Sequence, residues 1–114
     1  MADISITVSF SELGFHCWPD APEEVAYLRE RHRHKFGVEL ELKQLPHGDR
    51  AFEFHLVQAW AQPKFREILD SGAASKSCED MASRLATAAL AKYETAVTAR
   101  VSEDGECWAT VSAP

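Results

Sequence analysis

The sequence predicts an α+β domain in which two helices lie on one face of a four-stranded antiparallel sheet. Three observations predict it. Four segments, two early and two late, alternate apolar and polar residues with the period of two that a half-buried strand requires. Between them lie two helical segments, of which CEDMASRLATAALAKY, rich in Ala and Leu, is the clearer. Asp104-Gly105 then joins the last two alternating segments with strong hairpin-turn chemistry. The order is strand, strand, helix, helix, strand, strand (ββααββ). Such a sheet keeps two exposed edges that invite pairing with another copy, so a homo-oligomer is expected.

Taken in order, Ile4, Ile6, Val8 and Phe10 alternate with Ser5, Thr7 and Ser9 in a strand that runs into Gly14, His16 and Trp18. DAPEEVAYLRERH reads as a short helix, with Asp20 as N-cap, Glu23 three residues on and Pro22 in the first turn. Alternation returns from about Arg33 to Leu45, with Phe36, Val38, Leu40 and Leu42 on one face. QLPHGDR is turn chemistry and AFEF a brief strand. A helix is expected over Leu56–Ile68, with Pro63 beginning a second piece or kinking it. SGAASKS is a linker of small residues. Ser77 is the N-cap of the second helix, with Glu79 and Asp80 in its first turn, where the helix dipole favours them. TAVTARVS and ECWATVS close the chain as strands.

With 114 residues and 46% hydrophobic content, the chain suits one domain with one modest core. A net charge of −6 excludes a general phosphate-backbone binder, so no nucleic-acid partner is expected. Arg29, Arg31, Arg33 and Lys35 nevertheless cluster around two histidines, as a local anion-friendly surface or as a solvated helix end and strand edge. The three cysteines, Cys17, Cys78 and Cys107, are odd in number and form no CxxC pair, which points to a reducing cytoplasm. No secretion signal is expected at MADISITVSF, and no apolar run approaches the ~18 residues needed to span a bilayer.

The chemistry sits in RHRHKFGVELEL, residues 31–42. Residues i and i+2 of a strand share a face, so His32 and His34 project side by side, at a spacing compatible with one ion. Neutral imidazole is the commonest zinc ligand, and a catalytic zinc takes three protein ligands. His16, at the end of the first strand, supplies the third if that end pairs with the start of the second. His47 and His55 are expected to face solvent. Ser102–Glu106 reads from its own residues as a charged hairpin tip.

HRHKFGVELEL resembles the HGHNYxVxV segment of the 6-pyruvoyltetrahydropterin synthase and 6-carboxytetrahydropterin synthase family, whose members have the tunnelling fold (T-fold). FSELGFHCW resembles that family's first-strand segment, EFHLVQAW the start of its first helix, SCEDMA the start of its second, and VTARVSEDGECWATV its closing strands. The resemblance follows chain order over nearly the whole length. It implies zinc on His16, His32 and His34, and a pterin-anchoring glutamate at Glu103, with Glu106 the alternative. An ionised carboxylate is acceptor-only and matches the two parallel donors of a pterin or guanine edge. It also implies trimers stacked into a hexamer, each trimer an oligomeric β-barrel with helices outside and sites at subunit junctions. Arg29, with Arg31 and Arg33, is the candidate for meeting the triphosphate of such a substrate.

The chain departs from the family at its proton-transfer residues. AYLRER has no cysteine where the family places one before its His-x-His, and ILDSGAASKS offers Asp70 without a following histidine. Cys17, beside His16, and Asp70 are the remaining catalytic candidates. Three readings follow. The chain is a zinc-dependent enzyme acting on a pterin triphosphate in pterin or deazaguanine metabolism, or a non-catalytic protein sequestering a guanine- or pterin-like nucleotide in an inter-subunit pocket. The third is an oligomeric scaffold without a small-molecule site.

Overall fold

The computed structural model describes residues 3–44, 49–71 and 76–114. Its first strand, β1 (Ser5–His16), alternates strictly enough that Ile6, Val8, Gly14 and His16 are buried while the intervening serines, Thr7, Leu13 and Phe15 are exposed. β2 (His32–Lys43) repeats the pattern, with Phe36, Val38, Leu40 and Leu42 buried. Helices α1 (Phe54–Asp70) and α2 (Cys78–Tyr93) follow, then β3 (Val97–Glu103) and β4 (Cys107–Ala113). The sheet is antiparallel in the order β1-β2-β3-β4. The architecture is therefore the predicted α+β one, with β1 and β4 at the sheet's edges.

Each helix is built to lie on the same face. Glu53 caps α1 by accepting the Leu56 N–H at 2.9 Å, and Val57, Ala61, Phe65, Ile68 and Leu69 form its buried stripe. Pro63 neither ends nor splits this helix. It faces solvent, as does Ala59 one turn earlier, so the carbonyl that Pro63 leaves without an N–H donor is open to water. Ser77 caps α2 through the Asp80 N–H at 3.0 Å, as expected. Its buried stripe includes Ala82, Ala86 and Ala89, whose small side chains bring the helix close to β3 and β4. Phe36, Phe65, Leu40, Leu42, Met81 and Leu85 fill the layer between sheet and helices. Each large apolar side chain fully buried there contributes about 1.5–3 kcal/mol. Gly14 admits the end of α1: a Cβ there would stand 2.9 Å from a Leu69 methyl and 3.2 Å from the Phe36 ring.

Two expected elements differ. The helix expected over residues 20–31 is only a 3-10 segment at Glu23–Arg29, entered at Pro22 without a side-chain cap and broken at Val25. None of its residues is buried. Its apolar residues Val25–Leu28 are consecutive, not spaced at helical period, so no stripe holds it to the core. AFEF forms no strand. Ala51 and Phe52 lie in a bend, the Phe52 N–H donates to the Gln44 side chain at 2.9 Å, and Glu53 is committed to capping α1. The centre of the QLPHGDR turn with His47, and the centre of the SGAASKS linker, lie outside the described residues. The β3–β4 turn is as predicted: Asp104 and Gly105 both have positive φ (56° and 75°), and the Glu106 N–H closes it on the Glu103 carbonyl at 3.1 Å. Among the described residues no helix is long and apolar enough to cross a membrane.

Candidate metal centre

The core-facing row of β2 reads His32, His34, Phe36, Val38, so the two histidines continue the hydrophobic row to the end of the sheet. Pairing of β1 with β2 sets His16 directly opposite His32 and Gly14 opposite His34. Three imidazoles therefore meet where the core ends. Their centroids are 4.5 Å (His16–His32), 5.1 Å (His16–His34) and 4.9 Å (His32–His34) apart, with ring planes 69–88° to one another. One nitrogen from each lies within 4.8 Å of the other two, close enough to hold one metal ion.

The other nitrogen of every ring is already held. His16 Nδ1 donates to the Lys76 carbonyl at 2.7 Å, His32 Nδ1 to the Glu30 carbonyl at 2.8 Å, and His34 Nδ1 to the Asp104 carboxylate at 2.8 Å. With the proton fixed on Nδ1, the Nε2 lone pair is free to bind a cation, and outer acceptors of this kind orient metal-binding imidazoles. All three Nε2 atoms are buried without a hydrogen-bond partner. Burial of polar atoms in that state costs free energy unless something else satisfies them, and a shared cation does so for all three at once. Burial pushes the His16 pKa below the usual histidine value; His32 and His34 act in the same direction, against the Lys76 carbonyl and Glu103. The favoured neutral form is the one that binds metal.

Glu103, last residue of β3, turns its carboxylate toward the cluster: Oε1 is 3.3 Å from His16 Nε2 and Oε2 3.5 Å from His34 Nε2. These separations lie within ion-pair range, yet the pairs do not have hydrogen-bond geometry. They become true ion pairs only when an imidazole is protonated. Beyond Glu103 opens a cavity of about 830 Å³ whose walls include His16, His32, Glu103, Trp18 and Trp108.

The remaining candidates are spread out. Cys17 lines the cavity, and so do Cys78 and Cys107. Burial, then the negative charges of Glu103 and Glu79 and the nearby Cys107, pushes the Cys78 thiol up to about 12. Arg29 does not line the cavity; its guanidinium closes the 21–29 loop, donating to the Ala21 carbonyl at 2.8 Å and to Glu23 at 3.2 Å. Arg31 stacks on Phe15 at 4.1 Å, and Arg33 is the register partner of Phe15, both in the row that alternates away from the histidines. Asp70 ends α1 on the surface, paired with Arg66 at 3.0 and 3.2 Å, away from the cavity. Glu106 is exposed in the hairpin turn and lies off the cavity wall. His55 is exposed on α1, as expected.

Asp104 emerges from the structure as a site residue although its sequence context marks only a turn. Its Oδ1 accepts the Lys35 N–H at 2.9 Å, its own N–H donates to the Lys35 carbonyl at 2.9 Å, and its Oδ2 orients His34. The two bonds its carboxylate accepts, from the Lys35 N–H first and then from His34, hold it below the usual range. The available signal was an aspartate at a hairpin tip that must reach the start of the second strand.

The sequence matches no protein-family model and no curated protein.

Proposed function

We propose that the chain is a zinc protein of T-fold build, similar to the 6-pyruvoyltetrahydropterin and 6-carboxytetrahydropterin synthases, that holds a pterin- or guanine-like heterocycle beside the His16–His32–His34 centre. The observation that supports it most is the convergence of three buried, unpartnered Nε2 atoms whose Nδ1 protons are each committed elsewhere. Three neutral imidazoles are a donor set that suits zinc, with a fourth position left for ligand. A zinc ion bound there supplies Lewis acidity toward a ligand oxygen. Glu103, at the mouth and partly exposed, offers its two oxygens to a paired donor edge of the heterocycle, and the half-exposed indoles of Trp18 and Trp108 give it flat apolar walls.

Two activities are compatible with this site: turnover of a pterin triphosphate, and sequestration of a guanine- or pterin-like nucleotide, including a signalling one. Of the two acid–base candidates, Asp70 is paired with Arg66 away from the cavity, which favours sequestration, whereas Cys17 lies on the cavity wall beside His16, where turnover would need it. Incubation of zinc-loaded protein with dihydroneopterin triphosphate, followed by mass, separates them. Binding without conversion, lost in Glu103→Ala, supports sequestration; conversion that disappears in His34→Ala supports the enzyme.

In this reading the unpaired edges, β1 and β4, join between subunits into a barrel of trimers stacked as a hexamer, in the cytoplasm. Sedimentation as a monomer would overturn the assembly.

A further inference from the structure

We propose that Glu103 is the fourth ligand of the metal: in the ligand-free protein its carboxylate joins His16, His32 and His34 and closes the site. This rests on the three-histidine centre and deepens the role given to Glu103 above, because the same carboxylate leaves the metal to grip a heterocycle.

The core-facing row of β3 is Val97, Ala99, Val101 and Glu103, so the glutamate ends its row of the sheet as His34 and His32 end theirs. Its backbone is paired on both sides, with Phe36 of β2 and Cys107 of β4, which fixes where the side chain starts. Its oxygens lie 3.3 Å from His16 Nε2 and 3.5 Å from His34 Nε2. With each Nδ1 carrying its ring's proton, both contacts set a carboxylate oxygen against a bare nitrogen lone pair, two acceptors with no donor between them. The His16 side chain is only 8% exposed, so water does little to relieve this arrangement. A cation among the four groups makes it favourable.

That cation is a proton or a metal ion, and the angles separate the two. A shared proton sits on the line between nitrogen and oxygen, yet neither pair has hydrogen-bond geometry. A metal ion sits off that line. Bonds of about 2.0–2.1 Å at tetrahedral angles leave neighbouring donor atoms about 3.3–3.4 Å apart. The 3.3 and 3.5 Å separations at Glu103 are close to that spacing.

The Glu103 side chain is 36% exposed and lines the cavity, so its carboxylate has open space to move into. When a heterocycle enters, Glu103 exchanges its bond to the ion for hydrogen bonds from the paired N–H donors, and a ligand oxygen takes the position it vacates.

Cobalt(II) in place of zinc reports the fourth position through its visible bands. Imidazole is neutral, so nearby carboxylates do not repel it, and Glu103→Gln keeps the side chain's shape, so the space is unchanged. The cobalt-loaded full chain is expected to need at least tenfold more imidazole for half-saturation than Glu103→Gln. In native protein carrying carboxyl-labelled glutamate, zinc loading is expected to shift a labelled carboxylate stretch in the infrared difference spectrum. Equal imidazole uptake, or no shifted glutamate band, overturns the proposal and leaves the three-histidine centre standing. Failure of the native chain to bind one cobalt overturns both. Guanosine or dihydroneopterin, once bound, is expected to reverse the infrared shift; binding that leaves it in place overturns the exchange. Binding of neither overturns the heterocycle reading and the exchange, while ligation by Glu103 stands.

Discussion

Asp104 and His34 are joined across the sheet by a 2.8 Å hydrogen bond from imidazole Nδ1 to carboxylate Oδ2, although 70 residues separate them in the chain. Asp104 holds a left-handed backbone conformation (φ 56°) at the hairpin tip, and its other oxygen is fixed by the Lys35 N–H. One turn residue thus closes a hairpin, extends the pairing of β2 and aims an imidazole. Asp104→Asn keeps the turn, since asparagine tolerates this conformation, but removes the charge that holds the His34 tautomer. Zinc affinity is expected to fall by about 10–100-fold, read by competition with a chromophoric chelator, with little change in the unfolding midpoint of the metal-free chain.

The metal-free protein should lose stability in mild acid. An unfolded His16 titrates near 6.5, whereas burial sets the folded value lower, so the unfolded chain takes up the proton first as pH falls. The contribution from His16 is fully present above 6.5 and is lost as pH drops through the lower folded value. Denaturant midpoints measured from pH 8 to pH 5 are expected to decline in this window, and less steeply in His16→Asn. An identical slope in the variant would remove His16 as the cause.

Cys78 should resist alkylation where Cys107 does not. The Cys78 thiol is buried and raised to about 12, whereas Cys107 is exposed on β4. Only the thiolate attacks iodoacetamide. Peptide mapping after brief treatment at pH 8 is expected to show Cys107 modified and Cys78 intact; early modification of Cys78 would contradict its placement.

Gly14→Ala tests the packing behind the histidines. The added methyl, on the strand position paired with His34, meets Leu69 at 2.9 Å and the Phe36 ring at 3.2 Å. Overpacking of this kind costs about 1–3 kcal/mol, which urea unfolding resolves. Leu69→Ala in the same background should recover part of the loss if the methyl contact is its source.

The strands were legible because Ile6 and Val8, and Phe36 through Leu42, alternate with polar residues, and that parity also fixes which face His16, His32 and His34 occupy. The same parity removes Arg33 from the site, and Arg31, just before β2, is held away by stacking on Phe15. Arg29 lies before β2, where no strand parity applies, and its commitment to the Ala21 carbonyl depends on the path of a loop. The Lys76 and Glu30 carbonyls that orient His16 and His32 are backbone groups, which every residue possesses, so no residue type marks them. The short helix over 20–31 failed for a related reason: Asp20 and Glu23 suit a cap, but capping worth about 1 kcal/mol does not sustain a helix with no buried side to pack.

The central claim is that His16, His32 and His34 bind one zinc ion together through Nε2. X-ray absorption at the zinc edge of the purified, zinc-loaded protein tests it most directly. The prediction is one zinc per chain with scattering from three imidazoles at about 2.0–2.1 Å, and loss of one imidazole shell in His16→Ala. Substoichiometric zinc, or a shell containing fewer than three imidazoles in the native chain, would contradict it.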